Sequence, residues 1–222
     1  MKSKRWLATG IGLAVLLGML TGCGNERPAA SLSETAGTDS MPSSSYMEQY
    51  GTSLFLGDSI TEGLIYHDVL KEENVLAGAG KTAEFALMTE DVRELIDRKP
   101  ERVYIQLGSD DILWPTDQPI AYSLAHYGEL IDKIRDGLPK ARITLLSVAP
   151  VTDEAEKQEP RYRTIAAYNA GLEALADEKR VDYLDLTPLV AAHEELYDTD
   201  GIHFQAAFYP LLLDYLSQAR TD

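Results

Sequence analysis

Only one cysteine, Cys23, occurs in the 222-residue chain, so it has no partner for an intrachain disulfide. Histidine is nearly as scarce. His67, His126, His193 and His203 are scattered with no H-x-x-x-H pair, so the chain offers no spacing for a metal centre, and no cofactor is expected. Basic residues are few, 20 Lys and Arg against 36 Asp and Glu, for a net charge of −16. That imbalance argues against nucleic acid or an anionic membrane surface as partners, and more weakly against a polyanionic substrate. The G-x-S-x-G elbow is absent, because Ser59 is followed by Ile60-Thr61. Gly80-Lys81-Thr82 lacks the glycine that a phosphate-binding loop needs five positions earlier, where Val75 stands. The apolar run Trp6 to Met19 is shorter than the ~20 residues of a spanning helix, and no internal repeat is visible.

What is present begins with a leader. Lys2, Lys4 and Arg5 precede that apolar run, as in a secretory signal covering residues 1–22. Leu20-Thr21-Gly22-Cys23 resembles the bacterial lipoprotein signal, which implies cleavage before Cys23 and lipid, with fatty acyl chains such as palmitate, on its sulfur. The protein is therefore expected to be exported and held on the extracytoplasmic face of the membrane by that anchor alone. Two or more acyl chains anchor stably where one does not. Three basic residues and no acid leave with the leader, taking the charge from −16 to −19. Residues 23–47, rich in Ser, Ala, Thr and Pro, read as a flexible tether with a reach of roughly 25–30 Å. Residues 48–222 suit one domain, expected as a monomer.

In that domain short apolar runs alternate with longer amphipathic ones, the pattern of βαβ units. Strands are expected at Ser53–Leu56, Asn74–Ala77, Val103–Leu107, Ile143–Val148 and Val181–Leu186. Helices are expected at Ser59–Tyr66, Thr82–Asp97, Ile120–Arg135, Arg161–Glu178 and Gln205–Gln218, and the acidic run Glu154-Ala155-Glu156 as a solvated loop. Leu124, Tyr127, Leu130, Ile131 and Ile134 recur at helical spacing and form a core face. The fold class is α/β, a three-layer α/β/α sandwich on a five-stranded parallel sheet, whose ligands bind beyond the carboxyl ends of the strands.

Two short segments carry chemistry. The run Leu54-Phe55-Leu56 ends in Gly57-Asp58-Ser59-Ile60, a strand delivering a serine onto a tight turn. Near the far end stands Asp200-Gly201-Ile202-His203. An aspartate three residues before a histidine can hold the imidazole in one tautomer while it takes the serine's proton. Together these segments imply a serine esterase. Asp198 competes with Asp200 as the orienting acid, but needs a looped backbone to reach His203. Of the other histidines, His67 and His126 read as surface or packing residues. His193 reads the same way, with a place on the pocket rim as its alternative. Trp114 either lines the acyl or alcohol site or anchors its loop.

Four blocks in order, Gly57-Asp58-Ser59-Ile60, Ala79-Gly80-Lys81-Thr82, Leu107-Gly108-Ser109-Asp110-Asp111 and Asp200 to His203, resemble the SGNH hydrolases of the GDSL esterase/lipase family. The resemblance runs from Thr52 to the C-terminus and implies the SGNH/flavodoxin-like sandwich. It implies Ser59 as nucleophile, Asp200 and His203 as its partners, and an oxyanion hole from Ser59, Gly80 and position 110. The family's third block carries an asparagine donor where this chain has Asp110. An ionised carboxylate has no donor, so Asp110 either is protonated or has left the role to the backbone N–H groups of Ser59 and Gly80.

Three functions stay open on sequence. One is hydrolysis of small acyl esters, with O-acetyl groups of cell-envelope polysaccharide as candidates. The second is acyl transfer to a sugar hydroxyl on the same scaffold. The third is a non-catalytic surface binding lipoprotein.

Overall fold

The structure, a computed structural model, describes residues 43–219. The expected leader, Cys23 and the tether up to residue 42 lie outside the described residues. Five strands, β1 (Ser53–Gly57), β2 (Val75–Ala77), β3 (Arg102–Gln106), β4 (Arg142–Leu146) and β5 (Asp182–Leu184), form one parallel sheet in the order β2-β1-β3-β4-β5. The helices are α1 (Ser43–Gln49), α2 (Ser59–Tyr66), α3 (Ala83–Met88), α4 (Asp91–Arg98), α5 (Pro119–Gly137), α6 (Asp153–Gln158), α7 (Ile165–Lys179), α8 (Thr187–Ala191) and α9 (Phe208–Gln218).

All five residues of β1 are buried, because helices cover both faces of a parallel sheet. Leu54 and Leu56 point to one side, into a cluster with Tyr127, Leu130, Ile131 and Ile134 of α5 and Leu172 of α7. Phe55 points to the other, where it stacks on Tyr104 at 4.7 Å and packs with Leu64 of α2 and Phe208 of α9. The period of two along the strand thus feeds two cores, each buried Leu contributing about 1.5–3 kcal/mol. Leu124 packs against the first cluster only partly buried.

Four expectations need correction. The helix expected at Thr82–Asp97 is two, α3 and α4, because Thr89 leaves helical geometry (φ −96°, ψ −175°). The helix expected from Arg161 opens as a 3-10 turn, Pro160–Thr164, and is α-helical only from Ile165. The acidic run at Glu154 is helical in α6, where Thr152 Oγ1 accepts the Ala155 N–H at 3.3 Å and Ala155 is buried. Packed structure also starts before residue 48. Tyr46 and Tyr50 are buried, their hydroxyls donating to Asp214 Oδ1 (2.9 Å) and the Leu213 carbonyl (2.5 Å) on α9. Asn74 Nδ2 then clamps the chain after α1, donating to the Tyr50 and Ser53 carbonyls at 3.1 and 2.9 Å.

The chain runs from β1 outward to β2, then back across β1 to β3. This reversal puts a crevice at the carboxyl ends of β1 and β3, where such sheets bind ligands.

Candidate active site

Ser59 is the first residue of α2, directly beyond the carboxyl end of β1. Gly57 is required there. A Cβ at this position would lie 2.0 Å from Thr61 Oγ1 and 2.6 Å from the Gln106 carbonyl oxygen. Asp58 caps the helix, its Oδ1 accepting the Ile60 N–H at 3.0 Å.

His203 reaches the serine from the opposite end of the sequence. Ser59 Oγ and His203 Nε2 stand 2.8 Å apart. Asp200 Oδ2 lies 2.5 Å from His203 Nδ1, while its Oδ1 accepts the N–H groups of Ile202 (2.8 Å) and His203 (2.9 Å). The acid is thus fixed by its own turn, and it keeps the proton on Nδ1, leaving Nε2 to accept from Ser59. Partial burial pushes the Asp200 pKa up, but the hydrogen bonds from His203 and the two N–H groups outweigh it and hold the carboxyl below its ordinary value. Asp198 is not the orienting acid in this geometry. Its backbone N–H donates to the His203 carbonyl at 2.8 Å, closing the loop that presents the imidazole. Stacking of Tyr197 on Phe204 and of Phe204 on Phe208 seats that loop on α9.

Three further acids crowd the crevice. Asp58 is fully buried, and burial, opposed by hydrogen bonds from Ser109 and Ile60, pushes its pKa to about 7. Ser109 Oγ donates to its Oδ2 at 2.5 Å. Asp111 takes the Ala83 N–H (3.1 Å) and the Ser123 hydroxyl (2.5 Å) on Oδ1, and its buried Oδ2 has no hydrogen-bond partner. Burial raises its pKa also. Asp110 lies between them, half-buried and raised by that burial, with the charge of His203 and a hydrogen bond from the Gly80 N–H pulling the other way. Its side chain makes no cap to the 3-10 turn that follows, Asp111–Leu113. The position where the family carries asparagine therefore faces the imidazole and Gly80.

The remaining candidates are placed elsewhere. Trp114 is partly exposed, hydrogen-bonds Tyr122 and does not line the groove beside Ser59. His193 faces Glu195 at 3.5 Å, away from that groove. His67, expected as a surface or packing residue, lines it together with Asp198. Lys81 and Thr82 have structural work: Lys81 Nζ pairs with Asp91 at 2.7 Å, and Thr82 Oγ1 caps α3 by accepting the Phe85 N–H. Among the described residues no group of three or more His, Cys, Asp or Glu is arranged to hold a metal ion. Sequence reading also passed over Asp58 and Ser109, although an aspartate before a helix start is a recognisable cap.

A five-stranded α/β/α sandwich with a serine, an imidazole and a carboxylate in hydrogen-bonded series at its switch point defines a serine-hydrolase scaffold. The chain belongs to the GDSL-like Lipase/Acylhydrolase family, whose model matches residues 55–211. Solved structures share the fold. A GDSL-like lipase from Bacteroides thetaiotaomicron is 18% identical with a TM-score of 0.61, covering 80% of this chain and 96% of its own. A lipase/acylhydrolase from Enterococcus faecalis is 20% identical with a TM-score of 0.59, covering 75% and 94%. An acetylxylan esterase from Geobacillus stearothermophilus is 18% identical with a TM-score of 0.56, covering 74% and 91%. No curated protein gives a significant match.

Proposed function

We propose that the protein hydrolyses small acyl esters through Ser59, His203 and Asp200. The observation that carries this reading is the 2.8 Å approach of Ser59 Oγ to His203 Nε2, with Asp200 behind the imidazole. Ser59 Oγ attacks the ester carbonyl carbon as His203 takes its proton. The oxygen–carbon bond to the alcohol then breaks, and His203 returns the proton to the departing alkoxide. Water, deprotonated by the same imidazole, releases the acid and restores Ser59. The N–H groups of Ser59 and Gly80 and the acid of Asp110 are the donors assigned to the transient oxyanion. In the free protein the Gly80 N–H faces the Asp110 carboxyl; its single hydrogen serves the oxyanion only when that contact is given up, and a neutral Asp110 donates its own proton.

O-acetyl groups on cell-envelope polysaccharide are the proposed natural class, supported by the acidic charge, which disfavours polyanions, and by the fold shared with an acetylxylan esterase. We place the enzyme outside the cytoplasm, with residues 1–22 as leader, Cys23 lipidated and the following stretch as tether, on the strength of the Leu20-Thr21-Gly22-Cys23 pattern. A non-catalytic binding role is the second reading, favoured by the acid at position 110. Turnover of nitrophenyl esters in a series from acetate to palmitate decides between them. A burst followed by steady release, strongest for acetate, supports the hydrolase; no release by pure protein supports binding.

A further inference from the structure

The Ser59–His203 pair opens onto a groove of about 570 Å³ whose walls have a distinct chemistry. Ser59, Glu62, Gly63 and Tyr66 are spaced i, i+3, i+4 and i+7, so one face of α2 forms one wall. Gly63 is required by the floor: a Cβ there would lie 1.9 Å from the Tyr209 hydroxyl, so the Tyr209 ring lies directly over the helix. Tyr66 is 81% exposed, an unusual state for a large aromatic ring. It is held edge-on to His67 at 4.9 Å, and His67 in turn lies 5.1 Å from Tyr209.

The charges in this groove are of one sign. Glu62, Glu72 and Asp198 line it, and no lysine or arginine does. Among the described residues none of these three carboxylates forms an ion pair, whereas Glu73, Glu90, Asp91 and Glu94 all do. Unpaired carboxylates around the exposed ring of Tyr66 attract a cation twice, by charge and through the ring quadrupole. They give no comparable advantage to a neutral group. His203 lines the groove and must protonate the departing oxygen, so the alcohol half of the ester lies on this side. By helical rise, Glu62 and Tyr66 stand roughly 5 and 10 Å along α2 from Ser59.

We infer that this groove is an ammonium subsite, and that the preferred esters carry a positively charged amine on the alcohol side, within roughly 5–10 Å of the scissile carbonyl. The inference rests on the hydrolase reading for its chemistry but not for its binding.

The test compares acetylcholine with 3,3-dimethylbutyl acetate, which has the same shape with carbon in place of the charged nitrogen. At low salt kcat/KM for acetylcholine should exceed that for the neutral isostere by about 10-fold. The preference should shrink at ~1 M salt, which screens the exposed carboxylates. Glu62→Gln, Asp198→Asn and Tyr66→Ala should each reduce it. Because the ratio is taken within each variant, a general loss of activity or partial misfolding cancels. A ratio near one in the native protein, or one that all three substitutions leave unchanged, overturns the inference. Nitrophenyl acetate serves as the separate arm. If it is hydrolysed while the ratio stays near one, the subsite fails and the esterase stands. If it is not hydrolysed, the hydrolase reading fails, and calorimetric titration with choline decides the subsite alone. Binding that weakens in Glu62→Gln supports the subsite, and no binding overturns it.

Discussion

Ser109 Oγ donates to Asp58 Oδ2 across 2.5 Å, tying the turn after β3 to the turn that carries Ser59. This contact joins two of the four sequence blocks without touching the reacting atoms. Ser109 also holds the backbone next to Asp110, so the position of that acid depends on a residue 51 places before Ser109. The link has a cost. Asp58 is wholly buried next to Asp110 and Asp111, and burial chiefly, with their charges, keeps its proton on until pH about 7.

That raised pKa gives stability a definite pH dependence. In the unfolded chain Asp58 loses its proton near its ordinary value of 3.8, whereas the folded protein keeps it until about 7. Between those values the folded state binds more protons than the unfolded state, so this group's contribution falls as pH rises. Its slope is toward about 1.4 kcal/mol per pH unit, levelling off above pH 7. Asp58→Asn should remove that decline. Urea melts of both proteins between pH 4 and 8 check it, and equal slopes would show that Asp58 does not titrate in this window.

Asp110 gives the sharpest kinetic expectation. Its carboxyl is raised by burial and faces both His203 and the Gly80 N–H. In the proposed oxyanion role it supports the developing charge as a neutral donor at low pH and opposes it once ionised. Native activity should therefore fall as pH rises through the elevated pKa, while Asp110→Asn keeps its rate. Below that pH the two should agree within about 3-fold. A gain of about 10-fold or more at every pH would instead show an ionised, repulsive Asp110.

Ser59→Ala should abolish turnover of nitrophenyl acetate while leaving the melting temperature nearly unchanged, and a phosphonate reagent should label Ser59 alone. Asp200→Asn should lower kcat on the order of 10³–10⁴-fold, because the wrong imidazole tautomer is then favoured. Labelling of another serine, or an Asp200 variant within 10-fold of native, would refute the triad.

Tyr46 of α1 and Tyr50 directly after it are expected to matter to the fold and not to the chemistry. Tyr50 is fully buried and bonded to α9, so Tyr50→Ala should cost about 3–5 kcal/mol, with kcat retained at temperatures where the protein stays folded. Relative to a chain starting at Ser43, one starting at Gly51 should be strongly destabilised, because it loses Tyr46 and Tyr50. Chemical denaturation of the two truncated proteins measures this directly.

The anchor proposal is checked in cells. A fatty-acid analogue should tag the native protein and not Cys23→Ala, and persistent tagging of the variant would exclude Cys23 as the lipid site.

The sequence determined the sheet. Strands expected from apolar runs such as Val103–Leu107 lie within a few residues of those observed, because a strand covered on both faces is predominantly apolar. It also determined the pairing of Asp200 with His203, since an Asx turn is a local structure in which three residues suffice to bring carboxylate and imidazole together. The break between α3 and α4 and the start of α6 were less legible. The first depends on Thr89 leaving helical geometry while its hydroxyl donates to Asp91 Oδ2, and the second on Thr152 capping the new helix by accepting the Ala155 N–H.

Only the tertiary structure decided which separate segments meet. The 144-residue gap between Ser59 and His203, the Asp58–Ser109 link and the joining of Glu62 to Asp198 across one groove all depend on strand order and helix packing. The same is true of the perturbed acids. An aspartate's identity fixes its ordinary pKa, but burial against neighbours distant in sequence moves Asp58 to about 7. A sequence records which groups a chain carries; their solvation and company exist only once the chain is folded.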